Sequence, residues 1–85
     1  MEIHFTKHAL QRMEERGISE NEVYEIFAQP FLVLERQETL IIGHTIKRRF
    51  LTLVMDLHKG RLLTLWPASR KQRKLYQQKK SKGEL

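Results

Sequence analysis

His8 and Arg12 stand four residues apart with Arg16 four further on, a spacing that lines them along one helical face. An imidazole beside two guanidiniums could hold a phosphate ester and move a proton to or from it. A denser basic set follows: Lys47, Arg48, Arg49, Lys59, Arg61, Arg70, Lys71, Arg73 and Lys74, with Tyr76 three residues beyond Arg73. Arginine suits a phosphorane because its planar fork makes paired, charge-assisted hydrogen bonds and stays charged. A phenol can stack a base or donate a proton. Cleavage of RNA by its own 2′-hydroxyl needs a base for that oxygen, cations around the phosphorane and an acid for the leaving 5′ oxygen, and these side-chain types cover all three needs. The catalytic candidates are therefore His8, Arg12, Arg70, Arg73 and Tyr76. Arg48, Arg49, Lys71 and Lys74 are the candidate RNA-binding cations. Plain alternatives stand beside them: a solvated basic face for the arginines, a polar stripe moderated by Glu14 and Glu15 for His8 and Arg12, and sheet packing for the Tyr76 ring.

Other chemistries find less support. The chain has no phosphate-cradling glycine loop, metal-protease motif or serine elbow, which the common signature-bearing enzyme classes carry. It has no cysteine, which excludes a thiol nucleophile, disulfides and thiolate zinc sites and fits a reducing cytosol. His4 and His8 make a metal pair only if a helix begins before Thr6, so no metal or other cofactor is expected. His44 and His58 have no visible partner in the sequence and read as structural or solvated.

At 85 residues with a net charge of +6, the chain makes one small domain, too short for two cores. The charge is unevenly placed. Residues 1–43 hold four basic and eight acidic side chains, whereas residues 44–85 hold twelve basic and two acidic. Such polarity favours an anion-binding surface built by the second half. No apolar run approaches the roughly 18 residues of a membrane span, so the expected location is cytoplasmic, with no membrane partner.

The elements that must position these residues can be read from period and caps. Thr6 caps a helix over 7–16, with Ala9, Leu10 and Met13 on one face and Gly17 at its exit. Ser19-Glu20-Asn21-Glu22 is a capping box opening a second helix that Gln29-Pro30 stops. From Phe31 the period becomes strand-like, through Phe31–Arg36, Thr39–Ile46, Phe50–Leu57 and Arg61–Trp66. The expected fold is α+β: two N-terminal helices packed on a four-stranded antiparallel meander, with a short basic C-terminal helix. Leu51, Leu53, Met55 and Leu57 form the expected core face of the third strand. Phe50, Thr52, Val54 and Asp56 form the other face, left open or covered by a terminal helix or another chain. The expected domain spans 1–76, and 77–85 is a basic flexible tail.

Ser69-Arg70-Lys71-Gln72 is a capping box at the start of the last helix. Arg70 and Lys71 occupy its first turn, where the helix dipole disfavours exposed cations by about 0.3–1 kcal/mol each. A docked anion reverses that sign, because free backbone N–H groups and two cations then face one phosphate. In a meander Lys59 and Arg61 lie at one end of the sheet and Lys47–Arg49 at the other. Arg48, Arg49, Arg70 and Arg73 are thus expected to converge.

The string Arg61-Leu62-Leu63-Thr64-Leu65-Trp66-Pro67-Ala68-Ser69-Arg70-Lys71-Gln72-Arg73-Lys74-Leu75-Tyr76 resembles the final strand and Ala-Ser/Thr-Arg-x-Glu-Arg-x-x-Tyr helix of the BrnT-type toxins, small members of the RelE/ParE-like superfamily. Gly17-Ile18-Ser19-Glu20-Asn21-Glu22 is similar to that family's entry to its second helix. The segment His8–Gly17 looks closer to a related group of uncharacterised small domains. The resemblance covers about residues 5–77 and matches Arg70, Arg73 and Tyr76 position by position. It departs at Glu15-Arg16, where the family commonly has Lys-His, at Trp66, where it has Arg, and at Gln72, where it has Glu.

The resemblance implies a RelE-like fold and the toxin of a type II toxin–antitoxin pair, a metal-independent endoribonuclease that inhibits translation. Its implied partners are RNA and a small DNA-binding antitoxin, with a homo- or hetero-oligomer open. In that reading His8 is acid or base, Arg12, Arg49, Arg70 and Arg73 are phosphate cations, and Tyr76 stacks or transfers a proton. Two alternatives stand: a non-catalytic nucleic-acid-binding or regulatory module sharing the fold, and a partner-binding protein in which Phe50, Thr52 and Val54 matter most. A helix-turn-helix is disfavoured, since its recognition helix carries Glu20, Glu22 and Glu25 and no base.

Overall fold

A computed structural model describes residues 2–85. The chain begins with β1 (His4–Phe5), α1 (Lys7–Arg16) and α2 (Glu20–Phe27). It continues through β2 (Leu32–Glu35), β3 (Thr39–His44), β4 (Phe50–Asp56) and β5 (Arg61–Pro67) and closes with α3 (Arg70–Ser81). Local chemistry explains the helix ends. The Thr6 hydroxyl accepts from the Ala9 amide at 3.2 Å, and Gly17 closes α1 in the left-handed region. Both Ser19 with Glu22 and Ser69 with Gln72 form reciprocal capping boxes, each contributing on the order of 1 kcal/mol.

The expected four-stranded antiparallel sheet is corrected to a five-stranded mixed one, in the order β1-β5-β4-β3-β2. The added strand, β1, pairs parallel to β5 through His4↔Arg61 and Phe5↔Leu62. Two residues are too few to show a period of two, and their partners lie almost sixty residues away, so no local signal announces them. The last helix is also longer than expected. It runs five residues past Tyr76, and Leu85 packs against the same apolar cluster as Tyr76, so 77–85 is not a loose tail.

Strand alternation sorts the side chains into two layers. Leu51, Leu53 and Met55 of β4 join Ile41, Leu62 and Leu65 against Ala9 and Met13 of α1 and Val23 and Ile26 of α2. Leu57 falls beyond β4 and is exposed. Phe50 points to the opposite face, where Leu32, Ile42, Leu75 and Tyr76 form a second cluster beneath α3. Thr52, on that face, is fully buried because its hydroxyl donates to Gln72 Oε1 at 2.7 Å. The face that its composition left open is therefore closed by α3. Close approach of α2 to β3 depends on Gly43, where a Cβ would meet Ile26 Cγ2 at 2.9 Å.

The β3–β4 turn carries an unusual residue. Gly60 takes φ 63° in the β4–β5 turn, but Arg48, a residue with a Cβ, takes φ 67° in the β3–β4 turn. Left-handed backbone costs a non-glycine residue about 1–2 kcal/mol, partly offset by the chain entropy that glycine loses on folding. Arg48→Gly is expected to raise the unfolding free energy by about 0.5–1 kcal/mol, read from the urea midpoint at unchanged slope. A lower midpoint would show that the Arg48 side chain outweighs its own backbone strain.

Candidate nucleic-acid interface

Two stripes run along α3. Gln72, Leu75, Tyr76 and Lys79 are at least half-buried, at the i, i+3, i+4, i+7 spacing of a packed face. Arg70, Arg73, Lys74 and Gln77 form the adjacent stripe and line a surface groove of about 500 Å³. No acidic residue stands in the first turn of α3; within or just after the helix the nearest carboxylate is Glu84, and it is paired with Lys79 at 3.1 Å. Arg70 and Lys74 are exposed. Arg73 is exposed as well, and its guanidinium carbon lies 5.3 Å from the centroid of the Phe50 ring. A ring face holds the cation without using its in-plane N–H groups, which stay free for phosphate oxygens.

An aromatic cluster sits beneath this groove. Phe50 and Tyr76 meet edge to face at 5.2 Å, and His44 lies 5.5 Å from Phe50 and 5.9 Å from Tyr76. His44 and Phe50 are cross-strand partners at the end of the β3–β4 hairpin. Nδ1 of His44 is 3.0 Å from the Thr45 carbonyl. Gln29 Nε2 donates to the His44 carbonyl at 3.2 Å, so the backbone of that residue is tied to the α2–β2 loop as well.

The fold separates the sequence candidates. Arg70, Arg73 and Lys74 share one groove, and Lys71 is exposed outside its lining. Arg48 is exposed in the turn at the same end of the sheet, where the Ala68 amide donates to the Phe50 carbonyl. Arg49, expected to converge with them, turns to the other face. Its Nη1 donates to the Gly17 carbonyl and to Glu22, both at 3.1 Å, because strand alternation sends residue 49 opposite to Phe50. His8 is exposed on α1, and Arg12 pairs with Glu15 at 3.3 Å. That helix packs against β5 on the face opposite α3, so the sheet divides His8 and Arg12 from Arg70 and Arg73. Lys59 and Arg61 lie at the far end of the sheet, where Arg61 binds Asp56 at 3.2 Å.

Tyr76 belongs to the core. It is fully buried, its hydroxyl donates to the Pro30 carbonyl at 3.0 Å, and burial raises its pKa above the ordinary phenol value. Base stacking and proton transfer therefore do not fall to it in this fold. His44, read from the sequence as structural or solvated, packs against Phe50 and Tyr76; the signal for that contact was its place directly across a short hairpin from Phe50, on the face that the last helix would cover. Trp66 is partly exposed and stands across from Thr52.

A larger cleft of about 610 Å³ lies on the other side of the β3–β4 turn. Its carboxylates are already engaged: Glu22 with Arg49 and the Ser19 cap, and Glu25 with the Ile46 amide at 2.9 Å. It braces the α1–α2 corner against the hairpin, and the exposed Lys47 lines it too. Among the described residues, no three His, Asp or Glu side chains are grouped as metal ligands would be. Among the described residues, no helix is long and apolar enough to cross a membrane.

The fold and surface define a class of small α+β domain, a mixed sheet with two helices on one face and a basic helix across the other. Within that class the chain belongs to the family described as Domain of unknown function (DUF4258), which matches residues 5–65. The match covers β1 through most of β5 and ends before α3. No curated protein and no solved structure matches the chain.

Proposed function

We propose that this chain is a cytoplasmic toxin of the kind its C-terminal segment resembles, a metal-independent endoribonuclease restrained by a small DNA-binding antitoxin. The observation that carries the reading is the stripe Arg70, Arg73, Lys74 and Gln77, a groove free of carboxylates with one guanidinium held over Phe50. A sequence selected for stability alone would place acidic residues in the first turn of α3, so cations there are explained by an anionic ligand. In this reading Arg70 and Arg73 grip the phosphate and Lys74 adds charge along the strand. RNA is the favoured polyanion because its 2′-hydroxyl supplies the nucleophile, leaving to the protein only charge stabilisation and proton transfer.

A non-catalytic RNA-binding module is the second reading. It is favoured by the burial of Tyr76 and by the distance in the fold between α1 and α3. Inducible expression followed by primer extension separates the two. The toxin reading expects growth arrest and new RNA 5′ ends, with the purified chain cutting RNA in chelator. Binding that weakens steeply with salt and leaves RNA intact would establish the second reading. Failure to bind RNA at low salt would overturn both.

A further inference from the structure

We propose that His44 is the general base of this site, an inference that rests on the endoribonuclease reading. The Thr45 carbonyl can only accept, so the 3.0 Å contact places the imidazole proton on Nδ1 and the lone pair on Nε2. Among the described residues the one side-chain nitrogen or oxygen that is both buried and unpartnered is Arg61 Nε. His44 is half-buried, and its Nε2, which makes no hydrogen bond among the described residues, is not fully enclosed. The ring is gripped by Phe50 and Tyr76 on its flanks and by the Gln29 contact to its carbonyl. A base held in one tautomer and one orientation has its reorganisation done before substrate arrives.

The phosphate cation stands around the same ring. The His44 ring and the Arg73 guanidinium lie 5.5 and 5.3 Å from the Phe50 centroid, so both pack near one aromatic side chain. With a phosphodiester on Arg73 and Arg70, Nε2 takes the proton of the adjacent 2′-hydroxyl as that oxygen bonds to phosphorus. The bond from phosphorus to the 5′ oxygen breaks, and the leaving oxygen takes a proton from water. The imidazolium returns its proton to the hydroxide so formed. The products are a 2′,3′-cyclic phosphate and a 5′-hydroxyl, and no water is consumed.

The test uses the full chain and His44→Asn. The asparagine amide reaches the position of Nδ1 and can keep the Thr45 bond, but it offers nothing at Nε2. Cleavage should fall by about 10²-fold or more, the usual contribution of a general base, while RNA affinity and the melting midpoint stay near those of the parent. Cleavage within a few-fold of the parent would overturn the assignment and leave the endoribonuclease reading standing. Should His44→Asn not fold, His44→Gln takes its place with the same expected loss of cleavage, and for the parent RNA carrying a 2′-O-methyl group at the cleaved nucleotide must resist cutting. Cutting of that substrate, or products with a 5′-phosphate, would overturn the step. A parent that cuts no RNA would overturn the reading and this inference together.

Discussion

Alanine at both Arg70 and Arg73 is expected to abolish growth arrest and lower RNA affinity by about 10²-fold or more at low salt, since each charge-assisted hydrogen bond contributes about 1.5–3 kcal/mol. The plot of log affinity against log salt should become shallower by about 0.7 for each cation removed from a single-stranded site. Folding should hardly change, for a reason in the local geometry. Removing Arg70 relieves an unfavourable charge at the positive end of α3. Removing Arg73 forfeits a cation–π contact with Phe50, about 0.5–1 kcal/mol at an exposed site. These small changes oppose each other, so a lost activity would be a lost site and not a lost fold. Filter binding across a salt series, with thermal melting as control, checks all three. A double variant that still arrests growth would remove the groove from the function.

The largest effect on stability is expected at Tyr76. Tyr76→Ala deletes a fully buried ring that touches Phe50 and His44 and lies in the cluster with Leu32 and Ile42. Emptying an aromatic site costs about 3–5 kcal/mol, a large share of the 5–15 kcal/mol that holds a typical domain together. Tyr76→Phe keeps the ring and loses only the bond to the Pro30 carbonyl, about 1 kcal/mol. The pair of variants also reads the phenol's titration. Burial raises its pKa, so the folded chain keeps the proton when the unfolded chain, near pH 10, releases it. The stability tied to Tyr76 is thus complete below that pH and declines as pH rises through the folded value. Urea unfolding at neutral and alkaline pH should show a steeper loss for the parent than for Tyr76→Phe. RNA cleavage by Tyr76→Phe should be unchanged, which separates this core role from a catalytic one.

Much of the fold is legible without coordinates because its signals are local. A hydroxyl three residues before its amide partner caps a helix wherever the chain lies, so α1, α2 and the start of α3 follow from Thr6, Ser19 and Ser69. Four of the five strands show their alternation within a few residues. β1 does not, because its two residues pair with a strand at the other end of the domain. The end of α3 was hidden for a related reason. The sequence past Tyr76 is polar, and its anchoring contact, Leu85 on the second cluster, exists only once the helix has crossed the sheet.

The site divides in the same way. Residue types and helical spacing by themselves determined the basic stripe of α3, since neighbours at three and four residues share a face in any helix. They determined as well that Lys59 and Arg61 sit far from it, since a meander sends alternate turns to opposite ends. Only the tertiary structure decided that the sheet lies between His8 and Arg73, that Arg49 turns to Glu22, and that Tyr76 is core. It alone brought His44 and Arg73, from two other elements, to the ring of Phe50. Which layer covers which face is settled by burial summed over the whole chain, and no window of neighbouring residues contains that sum.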